Sequence, residues 1–290
     1  MRLLPLSLLS GCLLLAERPD GSRDGSSDNW PFDDDTGEAP FVGEGAVVAV
    51  GVGYGDACAV YENGGLRCSD GARPPEGRFV AMDGGLDGYC GIEADGALIC
   101  TTDDDTPASA EQVDVGGLTG CAVIPGGDLA CWGSNYEGVA DPPLSSGWVK
   151  VSLSSSNGCA LHDRGTVECW GQDTFDVLEV PDLRFLDVAT ADDKTGCGVT
   201  DDQHIACWGW EYADITPPRT GTYTAIVAGG YHYCALDTDG AVTCWGDDDD
   251  QQASPPDDTF EGLNAESNGT CGVTTEATVV CWGDVETDGL

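Results

Sequence analysis

Apolar residues recur along the chain in short runs separated by glycine-bearing turns. Val50, Met82, Val151, Ile226 and Leu263 each lie eight residues before a cysteine. The segments around them mostly alternate apolar and polar residues, the period of a half-buried strand. A second run follows around that cysteine, Cys-Ala-Leu at 159–161 and 234–236 and Cys-Ala-Val at 58–60 and 121–123. After a turn comes a third run, such as 241–244, ending in another cysteine. The pattern predicts a strand and a hairpin, repeated along the chain. Gly makes up 42 of 290 residues, about twice the usual share of roughly 7%, which fits many tight turns.

The cysteines set the repeat. Fourteen of the 15 fall into pairs ten residues apart: Cys58 and Cys68, Cys90 and Cys100, Cys121 and Cys131, Cys159 and Cys169, Cys197 and Cys207, Cys234 and Cys244, Cys271 and Cys281. The period from pair to pair is 31 to 38 residues, in the range of solenoids, propellers and arrays. The midpoint of each pair falls on a single residue, so symmetric pairing needs an odd-numbered loop. Three-residue loops favour Gly at their last position, where the backbone turns left-handed. Gly64, Gly96, Gly127, Gly165 and Gly240 occupy that position. Gln203 and Ala277 occupy it in repeats five and seven, whose turns are expected to be strained or different. Such a loop sets the two cysteines opposite each other at a non-hydrogen-bonded pair, within disulfide reach. Each hairpin therefore predicts its own bond. Zinc is the rival, but structural zinc ligands come two to four residues apart.

Repeats three to seven continue after the second cysteine with Trp132, Trp170, Trp208, Trp245 and Trp282, each followed by Gly. A large aromatic once per unit reads as packing between neighbouring units. Seven small sheets that bury both faces pack radially, so the fold class is all-β, a seven-bladed β-propeller over residues 42–290. The run AGGYHYCALDTDGAVTCWG at 228–246, and CALHDRGTVECWG at 159–171, resemble the regulator of chromosome condensation family (RCC1-like repeats), in its short secreted bacterial form. The resemblance implies seven blades and a binding role. Repeats one and two lack Trp-Gly, with Ser69 and Thr101 in its place, and leave the mode of ring closure open.

Residues 1–11 read as a signal peptide, because one Arg precedes an apolar run too short to span a bilayer. Leu9-Ser10-Gly11-Cys12 resembles the lipobox of bacterial lipoproteins, which implies a lipid on Cys12; a generic leader with an incidental cysteine is the alternative. Residues 12–41, rich in Pro, Gly, Ser and Asp, read as a flexible tether. The expected location is the bacterial envelope, at the outer membrane or cell surface rather than the inner membrane, and export makes the environment disulfide-permissive.

Charge changes the list of partners. The formal net charge is −41, which argues against nucleic acid, because that binding rests on Lys and Arg at phosphates. The membrane is reached through the lipid only, and a monomer is expected. No nucleophile elbow, zinc helix or phosphate loop occurs, and His162, His204 and His232 make no ligand set. The run Asp247, Asp248, Asp249 and Asp250 could supply oxygen ligands to calcium, although solvated surface charge is the simpler reading. Tyr136, Phe175, Trp210 and Tyr212, set among acids after the Trp-Gly pairs, form a plausible contact mixture. The expectation is a non-enzymatic module that binds a protein or glycan. The alternatives are guanine nucleotide exchange, implied by the resemblance, and an extracellular hydrolase.

Overall fold

Each repeat forms one antiparallel sheet of three strands in sequence order. The structure is a computed structural model that describes residues 43–86, 88–101, 105–192, 194–210 and 216–290. The signal peptide expected over residues 1–11, Cys12 and the tether expected over residues 12–41 lie outside the described residues. Blade 1 contains β1 (Val47–Val52), β2 (Ala57–Tyr61) and β3 (Leu66–Cys68), and blade 2 contains β4 (Phe79–Gly84), β5 (Tyr89–Glu93) and β6 (Leu98–Cys100). Blade 3 comprises β7 (Gln112–Gly116), β8 (Thr119–Ile124) and β9 (Asp128–Gly133), and blade 4 comprises β10 (Trp148–Leu153), β11 (Asn157–His162) and β12 (Val167–Gly171). Blade 5 is β13 (Phe185–Ala191), β14 (Thr195–Thr200) and β15 (Ile205–Gly209). Blade 6 is β16 (Tyr223–Ala228), β17 (His232–Asp237) and β18 (Val242–Gly246), and blade 7 is β19 (Phe260–Glu266), β20 (Gly269–Thr274) and β21 (Val279–Gly283).

The first strands stand side by side in a circle, β1, β4, β7, β10, β13, β16, β19 and back to β1. They all begin at one end of the ring, the entry rim, which also carries the hairpins between second and third strands. They end at the exit rim, which carries the turns from first to second strand and the starts of the loops that leave the third strands. Six of the seven first strands carry a β-bulge near the entry rim. The bulge pushes Val48, Val80, Val149 and Leu186 out to solvent.

The cysteine pairs face each other in all seven hairpins, with Cα atoms 4.0 to 4.1 Å apart, and all seven disulfides form. Each closes a loop worth roughly 3 kcal/mol by chain entropy. The glycines at the five loop positions have φ between +79° and +88°. Gln203 (φ +66°) and Ala277 (φ +59°) adopt the same left-handed backbone. Those two turns are therefore not different in shape, and the strain expected there is carried in φ.

A contact between blades explains why that shape is kept. The carbonyl of each apex residue accepts the N–H that opens the next blade: Gly64 from Phe79 (2.9 Å), Gly96 from Ala110 (2.9 Å), Gly127 from Trp148 (2.9 Å) and Gly165 from Phe185 (2.8 Å). The series continues with Gln203 from Tyr223 (2.8 Å) and Gly240 from Phe260 (2.7 Å), and the seventh bond, Ala277 from Val47 (3.0 Å), closes the ring. No strand is exchanged between the first and last repeats, since every described sheet is built from one repeat.

The core consists of seven separate apolar clusters, one between each pair of neighbouring blades. Cys121, Val123 and Val139 of the blade 3 repeat pack against Trp148, Val151, Ala160 and Trp170 of blade 4. At the closing junction, β1 packs against Cys271 and Val273, with Val285 and Leu290 from the C-terminal segment added. That segment also bonds to blade 1, Glu286 N–H to the Gly55 carbonyl (2.9 Å) and Asp70 N–H to the Asp288 carbonyl (2.9 Å).

Ala277→Gly and Gln203→Gly should each raise unfolding free energy by about 0.5–1 kcal/mol, because the left-handed backbone penalises a Cβ. Gly165→Ala should cost more than about 1 kcal/mol, since its new Cβ would meet the Phe185 carbonyl oxygen at 3.0 Å. Guanidinium titration of the oxidised protein measures all three; a loss on Ala277→Gly would contradict the account.

Candidate functional site

The first strands line an axial channel with polar side chains at fixed levels. Gly51, Asp83, Asp114, Ser152, Ala189, Val227 and Asn264 each pair with the first cysteine of their blade. Each first strand faces the channel and has no neighbouring strand on that side, so its inward N–H groups need partners. Where the level holds an acceptor, that side chain supplies one to the next blade. Asp83 accepts from Val115 N–H (2.6 Å), Asp114 from Leu153 N–H (2.8 Å), Ser152 from Thr190 N–H (3.2 Å) and Asn264 from Val52 N–H (2.8 Å). One level nearer the entry rim, Gln112 accepts from Val151 N–H (2.9 Å) and Asp187 from Ile226 N–H (2.8 Å).

Lys150 lies among these acids, its Nζ donating to Asp187 (2.5 Å) and to the Ile226 carbonyl (3.3 Å). The cavity between them is about 40 Å³, room for a few waters at most. Asn264 donates to Asp83 (2.7 Å). Burial pushes the Asp83 carboxyl up to about 6, against the opposing effects of Asn264, the Val115 and Gly84 N–H groups and Lys150. Burial, and then the Asp83 charge, hold Asp114 well above the ordinary range. Glu266, at the exit end, is raised by burial and by the charges of Asp192, Asp83 and Asp114, while the Gly117 N–H bond opposes the rise. These channel residues were not singled out in the sequence. Their signal is a position, seven residues before the first cysteine in six repeats and eight in blade 5, and it is masked because the residue type changes from blade to blade.

The exit rim is apolar at its turns. Tyr54 (64% exposed), Leu86 (49%), Leu118 (47%) and Tyr231 (54%) lie in four of the seven turns from first to second strand. The turns are tied to each other: Leu86 N–H bonds to the Gly117 carbonyl (3.0 Å), Gly230 N–H to the Ser267 carbonyl (2.7 Å), and Ser155 N–H to Asp192 Oδ1 (2.6 Å). Beyond the turns, Tyr136 and Phe175 are exposed, and Phe175 stacks on Trp210 with ring centres 5.1 Å apart. Tyr212 lies outside the described residues. Of the eight described non-glycine residues with positive φ, Gln203 and Ala277 serve the blade junctions; the other six, Glu137, Phe175, Asp176, Lys194, Gln251 and Ser267, all sit in turns or loops of the exit rim.

The other sequence candidates have structural surroundings. Trp132, Trp170, Trp245 and Trp282 are buried, and Trp208 is half-buried; each sits in the cluster between its blade and the preceding one. Trp170, Trp208 and Trp282 also donate their ring N–H to the carbonyls of Val139 (2.7 Å), Val177 (3.0 Å) and Gln252 (3.1 Å) in the loop of the blade before. Gly120, Gly158 and Gly196 lie opposite a tryptophan because a Cβ there would run into the ring at 2.4 to 2.6 Å. In blades 1 and 2, Ser69 and Thr101 accept instead from Ala57 and Tyr89 N–H (3.0 Å each).

The aspartate run holds its own loop. Asp247 accepts from the Gln252 amide (2.9 Å), Asp248 from Ala253 N–H (3.0 Å) and the Ser254 hydroxyl (2.9 Å), and Asp250 from Asn268 (2.8 Å). Asp249 is exposed. Among the described residues no three His, Cys, Asp or Glu side chains are grouped as metal ligands. His232 is buried with its Nε2 against Thr270 (2.7 Å), and burial pushes its pKa down to about 4. It is neutral at pH 7 and fully buried beside Thr270.

Small three-stranded blades around a polar axis, each stapled by a disulfide and bonded to the next, define a seven-bladed β-propeller. Residues 223–252 match the Regulator of chromosome condensation (RCC1) repeat. The chain is similar in fold to the CRINKLY WD40 ectodomain of the Arabidopsis thaliana receptor kinase ACR4, at 21% identity and TM-score 0.66 over 84% of this chain and 98% of that one. It is also similar to Prp20p from Saccharomyces cerevisiae, at 11% identity and TM-score 0.58 over 82% of each chain. No curated protein sequence matches it. One repeat of the chain thus matches the RCC1 repeat, and the solved structures share the propeller fold.

The raised channel carboxyls carry a pH signature. A carboxyl whose folded pKa lies above its unfolded value contributes its full stability below the unfolded value and loses it as pH rises toward the folded one. Stability should therefore fall from about pH 4 through the Asp83 value of about 6 and further as Asp114 and Glu266 ionise. Glu266→Gln, which keeps an acceptor for Gly117, should add on the order of 1 kcal/mol at pH 8 and little at pH 4.5. Equal gains at both pH values in denaturant titrations would contradict this.

Proposed function

We propose that the chain is an exported lipoprotein whose propeller is a non-enzymatic binding module for another protein. The observation that carries this reading is the exit rim, where exposed apolar side chains, Tyr54 and Tyr231 among them, sit on turns bonded in pairs or to the C-terminal segment of a closed, disulfide-stapled ring. Fixed aromatic side chains offer contact area at little entropic cost. Seven disulfides fit an oxidising, extracytoplasmic environment. Among the described residues no helix is long and apolar enough to cross a membrane, and the lipid on Cys12 would supply the anchor. The solved relatives favour a protein over a glycan, since Prp20p is described with its binding to Gsp1p and histones, and yeast RCC1 bound to Kap60. Export separates the chain from guanine nucleotide exchange inside the cell.

The test uses the tagged full chain in intact cells, wild type against Cys12→Ala, labelled with radioactive fatty acid and then crosslinked. Wild type should take up label and yield one reproducible protein adduct, while Cys12→Ala should lose the label. Equal labelling would overturn the anchor, and adducts no stronger than those of an unrelated exported protein would overturn the binding module.

A further inference from the structure

The loops that leave the third strands do not serve the tryptophans alike. In blades 3, 4 and 6 the eighth residue after the second cysteine is Val139, Val177 or Gln252, each fully buried. Its carbonyl accepts the ring N–H of the next blade's Trp170, Trp208 or Trp282. Three junctions are thus plugged at the exit rim by a loop residue that offers a side chain and a carbonyl together. The loop before Trp245 includes residues 211–215, outside the described ones. Blade 2 has a shorter loop. Cys100 lies 10 residues before Ala110, whose N–H makes the junction bond, against 16 or 17 residues for the same step in blades 3 to 6. Its eighth residue is Ala108, which is exposed and accepts from Leu98 N–H (3.3 Å) on the third strand of its own blade. Ala97 and Ser109 are bridged beside it, and Thr101 at the other end of the loop is bonded to Tyr89 (3.0 Å). Both ends of this loop are therefore committed to blade 2; residues 102–104 lie outside the described residues.

Blade 3 nevertheless carries a tryptophan, and what lies against it is a cavity. About 350 Å³ opens at the exit rim between blades 2 and 3, lined by Tyr89, Val115, Leu118, Trp132, Ser134 and the backbone of glycines. That volume falls in the range of ligand pockets, which begins near 300 Å³. Trp132 is packed into the junction, 5% exposed, and its ring N–H, which can only donate, has no acceptor among the described residues. From this we infer that the cavity seats an extended segment of a partner protein. The segment inserts an aliphatic side chain beside Leu118 and gives the backbone carbonyl of the same residue to the Trp132 N–H. The chain itself shows this chemistry at the equivalent place of three other junctions, twice with a valine. The inference rests on the binding-module reading and adds the site and the kind of segment it takes. A buried aliphatic anchor in a preformed pocket is the usual centre of such contacts. A sugar fits less well, since the Tyr89 and Thr119 hydroxyls of the lining are already given to Asp56 (2.5 Å) and the Ser134 carbonyl (2.7 Å).

The probe is an end-blocked peptide with the sequence of residues 136–142, Tyr-Glu-Gly-Val-Ala-Asp-Pro, and its control is the same peptide carrying Val139→Asp. Indole N–H resonances of the isotope-labelled full chain report binding, that of Trp132 being assigned by its loss in Trp132→Phe. In the free protein the Trp132 indole hydrogen should exchange with solvent about tenfold or more faster than those of Trp170, Trp208 and Trp282. Peptide at millimolar concentration should shift the Trp132 resonance and slow its exchange. The control peptide should bind wild type about fivefold or more weakly, and Leu118→Ser should weaken the first peptide to the same degree. Tyr231→Ser, on the blade 6 turn and outside the cavity lining, should bind within about twofold of wild type. Circular dichroism and a thiol count confirm that the variants fold. A Trp132 hydrogen already as slow as the other three in the free protein would overturn the inference, because the chain would then fill the seat itself. No shift with the peptide, equal binding of both peptides, or a shift with N-acetylglucosamine oligomers and none with peptide would also overturn it. A cellular adduct that persists undiminished in Leu118→Ser would leave the binding module standing and this site refuted.

Discussion

One backbone hydrogen bond, repeated seven times, sets the terms for the rest of the structure. The carbonyl at each hairpin apex can reach the opening N–H of the next blade only if the apex residue is left-handed and the loop is three residues long. The loop length places the cysteines of the flanking strands opposite each other, ten residues apart in sequence, and the disulfide then fixes the hairpin that presents the carbonyl. Where glycine is absent, at Gln203 and Ala277, the backbone still takes the left-handed form. The requirement of the junction prevails over the preference of the residue. The last of these positions is the closing one, so the ring is sealed by the same contact that joins every other pair of blades.

Packing follows the same division. Because each apolar cluster belongs to a junction rather than to a blade, no single repeat buries its own faces, and the tryptophans serve the interface with the preceding blade. Trp170, Trp208 and Trp282 show this most directly, each reaching back to a carbonyl of the loop before it. The first two repeats lack the tryptophan and use hydroxyl groups at Ser69 and Thr101 to hold the start of the second strand. The C-terminal segment supplies Val285 and Leu290 to the junction of blades 7 and 1.

Whatever repeats in the sequence was legible there. The cysteine spacing, the apex glycines and the Trp-Gly pairs recur in register, and each predicted its element or contact. The axial channel was not legible because its levels hold Gly, Asp, Asp, Ser, Ala, Val and Asn in turn, so the shared role of accepting the next blade's N–H has no residue signature. The acid surplus was read as solvated charge. Part of it serves structure: Asp83, Asp114 and Asp187 hold the channel strands, and Asp247, Asp248 and Asp250 brace the loop that carries Gln252.

The claim on which everything else rests is that the ring is closed at the Val47 junction as firmly as at the other six. Native-state hydrogen exchange of the oxidised protein reads this directly, through the opening amides of the blades. The account predicts that Val47 N–H exchanges at the rate of Phe79, Phe185 and Phe260, by global unfolding. Exchange of Val47 orders of magnitude faster than those three would show a ring that opens between blades 7 and 1, and would contradict it.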